Sequence, residues 1–131
     1  MATHPTPIRN DIADFVVDKL DAGSTNATPR LIYRTSANAA VATLNFDGTA
    51  AFGDAAAGIA TAAAIADDTN TVGGTVTNAI ATDKDNTTIL EMTAGAATGV
   101  PATEPDITLS SATVPAGVTV SIASLTYQAP S

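Results

Sequence analysis

Apolar positions follow a helical period near the start of the chain and a strand-like period after residue 24. In the first part, large apolar residues recur at the spacing of one helical face: Ile8, Ile12, Phe15, Val16 and Leu20. Thr6 is placed to cap this helix, Pro7 suits the first helical position, and Gly23 is placed to end it. The pattern predicts an amphipathic helix of about four turns within an N-terminal segment, residues 1–23.

After this segment, short stretches alternate apolar and polar residues, with a turn signal about every ten residues. They predict strands over residues 30–34, 40–46, 75–81, 87–93, 107–109 and 118–127. Residues 47–48 and 83–86 are predicted turns, and residues 94–105 a loop. Regularly spaced short strands are typical of sandwiches and barrels. The chain is therefore predicted to be mainly β, with residues 24–131 forming a single antiparallel β-sandwich or jelly roll.

Residues 55–66 are rich in alanine and fit two structures. Alanine has the highest helix propensity, whereas Gly58, Thr61 and the neighbouring strands favour extended chain. We predict strand or irregular extended structure here.

Composition suggests that one copy of the chain has a thin core. Alanine and threonine fill more than a third of the sequence, and only 4% of the residues are aromatic. Small side chains bury little apolar area, so the stability margin of a single chain is small. We therefore predict a homo-oligomer, dimer or trimer. In it, the five apolar helix residues named above bury against a β-sheet or a neighbouring subunit.

Charge and sequence patterns exclude several kinds of partner and compartment. The formal net charge is −8, which repels nucleic acids and anionic membranes. No apolar run approaches the roughly 20 residues of a membrane-spanning helix. The N-terminal residues lack the basic and apolar regions of a signal peptide. The protein is therefore expected to fold in a cytoplasm.

Side chains that carry chemistry are scarce. The chain has one histidine, His4 near the N-terminus, and no cysteine, so no base stands ready to activate a serine. Asp83 and Asp85 have a calcium-loop spacing, but the glycine and late glutamate of such a loop are missing, and a hairpin turn explains them better. Asp67 and Asp68, with Asp54 nearby, are interpreted as solvated loop charges. We predict no catalytic, cofactor or metal site, and a protein that is not an enzyme.

The order of these segments resembles that of small structural proteins encoded in the virion gene clusters of tailed bacteriophages. The similar segments are Ile8–Ala13 at the start of the helix, Leu31–Arg34, Gly74–Asp83 with Thr87–Thr93, and Asp106–Leu109 with Pro115–Tyr127. The similarity covers most of the chain as a pattern of strands and turns, and it is weakest over residues 55–66. Some proteins of this kind decorate capsids with a β-sandwich or jelly-roll core.

The resemblance implies a capsid decoration, or cement, protein. Its partners would be the major capsid protein and further copies of itself, and it would lie on the capsid exterior after synthesis in the host cytoplasm. Two alternatives stay open. One is a tail, neck or fibre-tip component used in host attachment, and the other is a surface carbohydrate-binding module.

Overall fold

The computed structural model describes residues 2–130 and shows a mainly β protein with one N-terminal helix. Met1 and Ser131, the ends of the predicted segments 1–23 and 24–131, lie outside this range. Helix α1 spans Thr6–Asp18 and continues into a 3₁₀ turn over Lys19–Asp21; a second 3₁₀ turn covers Pro101–Thr103. The strands are β1 Arg30–Arg34, β2 Ala40–Asn45, β3 Ile59–Thr61, β4 Gly74–Thr75, β5 Asn78–Thr82, β6 Thr88–Ala96, β7 Ile107–Leu109, β8 Thr113–Val114 and β9 Thr126–Gln128.

Five of these strands form one curled sheet in the order β2-β1-β5-β6-β7. Strand β1 pairs antiparallel with both neighbours, so that Ile32 lies opposite Thr43 on one side and Ile80 on the other. The predicted hairpin around residues 83–86 is confirmed, with Asn78 opposite Thr93. Strand β7 pairs with β6 in parallel, so the predicted all-antiparallel pairing is wrong at this edge. The connection over residues 97–106 brings Ile107 back beside Ala94, so that β7 runs parallel to the end of β6, which alternation alone cannot reveal.

The remaining strands form two small sheets, β3 with β9 and β4 with β8. Residues 55–66 are extended rather than helical, as predicted: β3 lies within them, and single bridges join Ala56 to Ile59 and Asn45 to Ala66. The predicted long last strand over residues 118–127 is wrong. Only Thr126–Gln128 joins a sheet, and Val120 makes one bridge to Asp68.

Helix α1 begins one residue earlier than predicted. Pro5 rather than Thr6 is its N-cap, with φ −65° and ψ 160°, and no side chain of the described range 2–130 caps it. The ring of Pro5 fixes a φ that suits the entry into a helix, and Pro7 is the second helical residue rather than the first. The chain leaves the 3₁₀ turn at Ala22, and Gly23 follows with φ +98°.

The core lies on one face of the five-stranded sheet. Leu31, Tyr33 and Leu44 from the sheet are all at most 1% exposed, as are Ala13, Val17 and Leu20 from the helical segment. Residues from the small sheets, including Ala60 and Val114, belong to the same cluster. Many of its members are alanines, so the elements approach closely and the buried area per residue is small.

Candidate functional site

Helix α1 is turned so that the predicted apolar stripe is divided between core and surface. Leu20 is fully buried as predicted, and Ile12 and Val16 are half-buried. Ile8 is 44% exposed and Phe15 is 66% exposed, so within the single chain these two do not bury against the sheet. Their burial against another molecule stays a prediction.

Hydrogen bonds to the loop over residues 51–58 explain this orientation. Asn10 Oδ1 accepts from the N–H of Gly58 at 2.7 Å, and Asp14 Oδ1 accepts from the N–H of Ala55 at 2.7 Å. The guanidinium of Arg9 lies against Gly58, where a Cβ would come 2.8 Å from Cζ. Because Arg9, Asn10 and Asp14 must face this loop, the opposite side of the helix carries Phe15 into solvent.

The outward side of α1 presents an alternating stripe of charge, apolar ring and charge. Asp11, Phe15 and Asp18 are spaced at i, i+4 and i+7 and are all exposed. Lys19 Nζ lies 4.6 Å from the centroid of the Phe15 ring, a cation–π contact. The pKa of Asp18 is raised, first by desolvation and then by the neighbouring carboxylates of Asp14, Asp21 and Asp54. A positive partner beside Asp18 would relieve this repulsion. We call residues 11, 15 and 18 the helix stripe.

The sheet face that points away from the core carries a second stripe of the opposite sign. Arg30, Ile32 and Arg34 alternate with the core residues of β1 and share this outer face, where all three are half-buried. Arg30 Nη2 donates to Asn26 Oδ1 at 2.9 Å, and Arg34 Nε donates to Asn78 Oδ1 at 2.9 Å. Neutral amides therefore orient both guanidiniums, and these amides do not neutralise their positive charge. We call residues 30, 32 and 34 the strand stripe.

A second exposed apolar patch lies on another part of the chain. Val72 is 71% exposed and Val118 is 37% exposed. The N–H of Thr71, next to Val72, donates to the carbonyl of Val118 at 3.3 Å, so the two valines stand on neighbouring segments. We call them the valine patch.

Two adjoining clefts, with volumes of about 340 and 350 Å³, run between β7 and the segment over residues 118–126. A third cleft of about 280 Å³ adjoins them between β6 and residues 125–128. The first is lined largely by serine and threonine, the second by Tyr33 and residues 106–109, and the third by Phe52 and Tyr127. The hydroxyl of Tyr33 is buried and finds no hydrogen-bond partner among residues 2–130. Burial raises the pKa of Tyr33 to about 12. Alternation patterns did not predict these clefts, because the first two arise where residues 119–124 stay out of the sheet.

The acidic pair Asp83 and Asp85 forms a hydrogen-bonded turn, as predicted. Asp83 Oδ1 accepts from the N–H of Asp85 at 2.9 Å and of Thr87 at 2.8 Å. Asp85 Oδ1 reaches across to accept from the N–H of Ser24 and of Thr25, each at 3.0 Å. These N–H groups lower the pKa of Asp85. The turn thus anchors the loop that follows the helix, a role that the sequence did not show.

The other candidate acidic residues, Asp54, Asp67 and Asp68, differ in burial. Asp68 is half-buried: its Oδ2 accepts from the N–H of Thr43 at 2.8 Å and its Oδ1 from the N–H of Asn70 at 3.0 Å. The prediction of a solvated charge is therefore wrong for Asp68, which binds a backbone donor of strand β2. Asp54 and Asp67 are exposed, and so is His4 in the N-terminal segment. Among residues 2–130, no group of three or more His, Cys, Asp or Glu side chains is arranged to hold a metal ion.

No helix within residues 2–130 is long and apolar enough to span a membrane. Comparisons of the chain with protein-family models, with curated proteins and with solved structures give no match.

Proposed function

We propose that the chain is a non-enzymatic structural protein of a tailed-bacteriophage virion, a decoration protein that binds the outside of the capsid and stabilises it. The observation that carries this proposal is that large apolar side chains are exposed at two separate places on one packed body. Ile8 and Phe15 stand on a helix fixed to the core, and Val72 and Val118 stand on neighbouring segments elsewhere. In this proposal, one of these places contacts further copies of the chain and the other contacts the lattice.

The proposed partners are the major capsid protein and further copies of this chain. Its net charge of −8 keeps it away from nucleic acids and anionic membranes, which agrees with a place on the capsid exterior. A subunit that binds the assembled lattice but not its dissociated parts stabilises the lattice by mass action, and the gain adds over many sites. The sandwich or jelly roll predicted from the sequence stays part of the proposal; its support is that residues of all three sheets share one core.

The experiment is decoration of capsids that lack the protein. Purified chain is added to such capsids, bound protein is measured by co-sedimentation, and shell stability is measured by thermal melting. We expect saturable binding and a higher melting temperature of the shell. Val72→Ser and Val118→Ser together should weaken binding, whereas Asp67→Ser, an exposed control, should not. Binding to isolated tails but not to heads would favour the tail or neck alternative instead.

The clefts beside β7 favour a second candidate, a carbohydrate-binding module. Serine and threonine hydroxyls line the first cleft, and Tyr127 lines the third together with the carboxylates of Glu91 and Asp106. Hydroxyl and carboxylate groups can bind sugar hydroxyls, and a tyrosine ring offers an apolar face. A glycan panel tests this candidate, with Tyr127→Ala as the variant. Binding of one glycan class that Tyr127→Ala abolishes would favour it over decoration.

A further inference from the structure

The helix stripe and the strand stripe have complementary patterns. The helix presents Asp11, Phe15 and Asp18 in a row, and strand β1 presents Arg30, Ile32 and Arg34 in a row. Each row is therefore an apolar side chain between two charges, negative on the helix and positive on the strand.

The spacing of the charges also matches. Asp11 and Asp18 are seven helical residues apart, which corresponds to about 10.5 Å along the axis. Arg30 and Arg34 are four strand residues apart, which corresponds to about 13 Å. Arginine has a long flexible side chain, so a difference of this size is within its reach.

Basic residues are scarce in this chain, so their occurrence in the strand stripe is distinctive. The chain contains only five Lys and Arg residues against thirteen Asp and Glu, and two of the five lie in the strand stripe. The guanidiniums of Arg30 and Arg34 hydrogen-bond to neutral amides. Glu91 lies on the same sheet face but two strands away, opposite Ile80. The strand stripe is therefore a basic strip on an acidic protein.

We propose that a second copy of this chain covers the strand stripe with its helix stripe, setting Phe15 against Ile32 and the two aspartates against the two arginines. This inference rests on the oligomer in the proposed function and identifies its contact. The contact joins two different surfaces, so reciprocal docking gives a dimer and head-to-tail docking gives a ring or a filament. Lys19 leaves the ring of Phe15 or moves to its edge when Ile32 takes its place.

Charge exchange tests the contact. The sheet variant carries Arg30→Glu and Arg34→Glu, and the helix variant carries Asp11→Lys and Asp18→Lys. Alone, each variant sets like charges against each other and should sediment as a monomer at concentrations where the parent associates. When the two variants are mixed in equal amounts, each contact between one variant and the other again joins opposite charges, and association should return. Asp67→Lys, an exposed residue outside both stripes, should associate as the parent does.

Circular dichroism and thermal melting of each variant show whether it folds, and recovery on mixing requires folded partners. The parent complex should weaken as NaCl is raised, because exposed ion pairs are screened. A parent that stays monomeric overturns the inference, and so does a mixture that fails to associate although both variants fold. Capsid binding is measured separately on the helix variant. If the helix variant is monomeric but still decorates capsids, the proposed function remains supported. If the parent associates but does not bind capsids, only the proposed function is refuted.

Discussion

Asp85 and Thr25 are joined by two hydrogen bonds to one oxygen atom. Oδ1 of Asp85 accepts from the N–H of Thr25 at 3.0 Å and from its hydroxyl at 2.8 Å. Sixty residues separate them in the sequence, and the pair ties the hairpin between β5 and β6 to the loop after the helix. The carboxylate also occupies the space beside Gly23, where a Cβ would come 2.6 Å from Asp85 Cγ.

Removing this carboxylate should loosen the attachment of the helix. Asp85→Ala leaves the N–H groups of Ser24 and Thr25 without their acceptor, so we expect a lower melting temperature and faster hydrogen exchange at residues 22–26. Asp67→Ala, which removes another exposed aspartate, is the control and should change neither. Unchanged exchange at residues 22–26 in Asp85→Ala would show that other contacts hold this loop.

The same carboxylate makes stability depend on pH with a defined sign. The N–H of Ser24, then the N–H and hydroxyl of Thr25, lower the pKa of Asp85 below its usual range. A lowered folded-state pKa gives stability that is complete above the unfolded pKa, about 3.9, and is lost as pH falls through the folded pKa. In urea titrations at pH 6, Asp85→Asn should therefore have a lower free energy of unfolding than the parent. This difference in stability should shrink below pH 4. A difference that stays constant down to pH 2.5 would contradict this assignment.

Calcium should leave the Asp83–Asp85 turn unchanged. The Oδ1 atoms of both carboxylates already accept backbone N–H groups, whereas Ca²⁺ requires six to eight oxygen ligands. We expect equal melting temperatures in excess EDTA and in millimolar Ca²⁺. A calcium-dependent rise that is absent in Asp85→Ala would reveal an ion site.

Truncating Leu20 should destabilise the monomer, whereas truncating Phe15 should mainly weaken association. Leu20 is fully buried, so Leu20→Ala should cost about 2–5 kcal/mol of unfolding free energy. Phe15 is 66% exposed, so Phe15→Ala should change the stability of the monomer by at most about 0.5 kcal/mol and should instead weaken association. Urea denaturation at low concentration measures the first quantity and sedimentation the second. A large loss of monomer stability in Phe15→Ala would mean that the ring packs against its own chain.

Local patterns in the sequence were sufficient for β1, β2 and the hairpin between β5 and β6, because alternation and turn residues act over neighbouring positions. They were insufficient for the orientation of the helix. The large residues Ile8 and Phe15 suggested one face, whereas the buried face depends on small Ala13 and on the hydrogen bonds of Asn10 and Asp14 to a loop more than forty residues away. The parallel edge at β7 and the clefts beside it likewise depend on the path of a long connection.

Gly58 should be difficult to replace, because both its backbone conformation and its neighbour Arg9 oppose a side chain. It has φ +78°, where L side chains are strained, and a Cβ there would come 2.8 Å from Cζ of Arg9. Gly99 has a similar φ of +75° with nothing within 4 Å of its Cβ position, which makes it a matched control. Gly99→Ala carries the backbone strain alone, about 1 kcal/mol, whereas Gly58→Ala adds displacement of Arg9 and should cost more, up to about 3 kcal/mol.

The displacement of Arg9 has a further consequence. The N–H of Gly58 donates to Asn10, so moving this backbone also disturbs the attachment of the helix to the 51–58 loop. Gly58→Ala should therefore weaken association through the helix stripe, while Gly99→Ala should not. Unfolding in urea gives the two stability losses, and sedimentation gives the two association constants. Equal losses in both variants would mean that Arg9 moves aside freely and that its contact with Gly58 does not fix the helix.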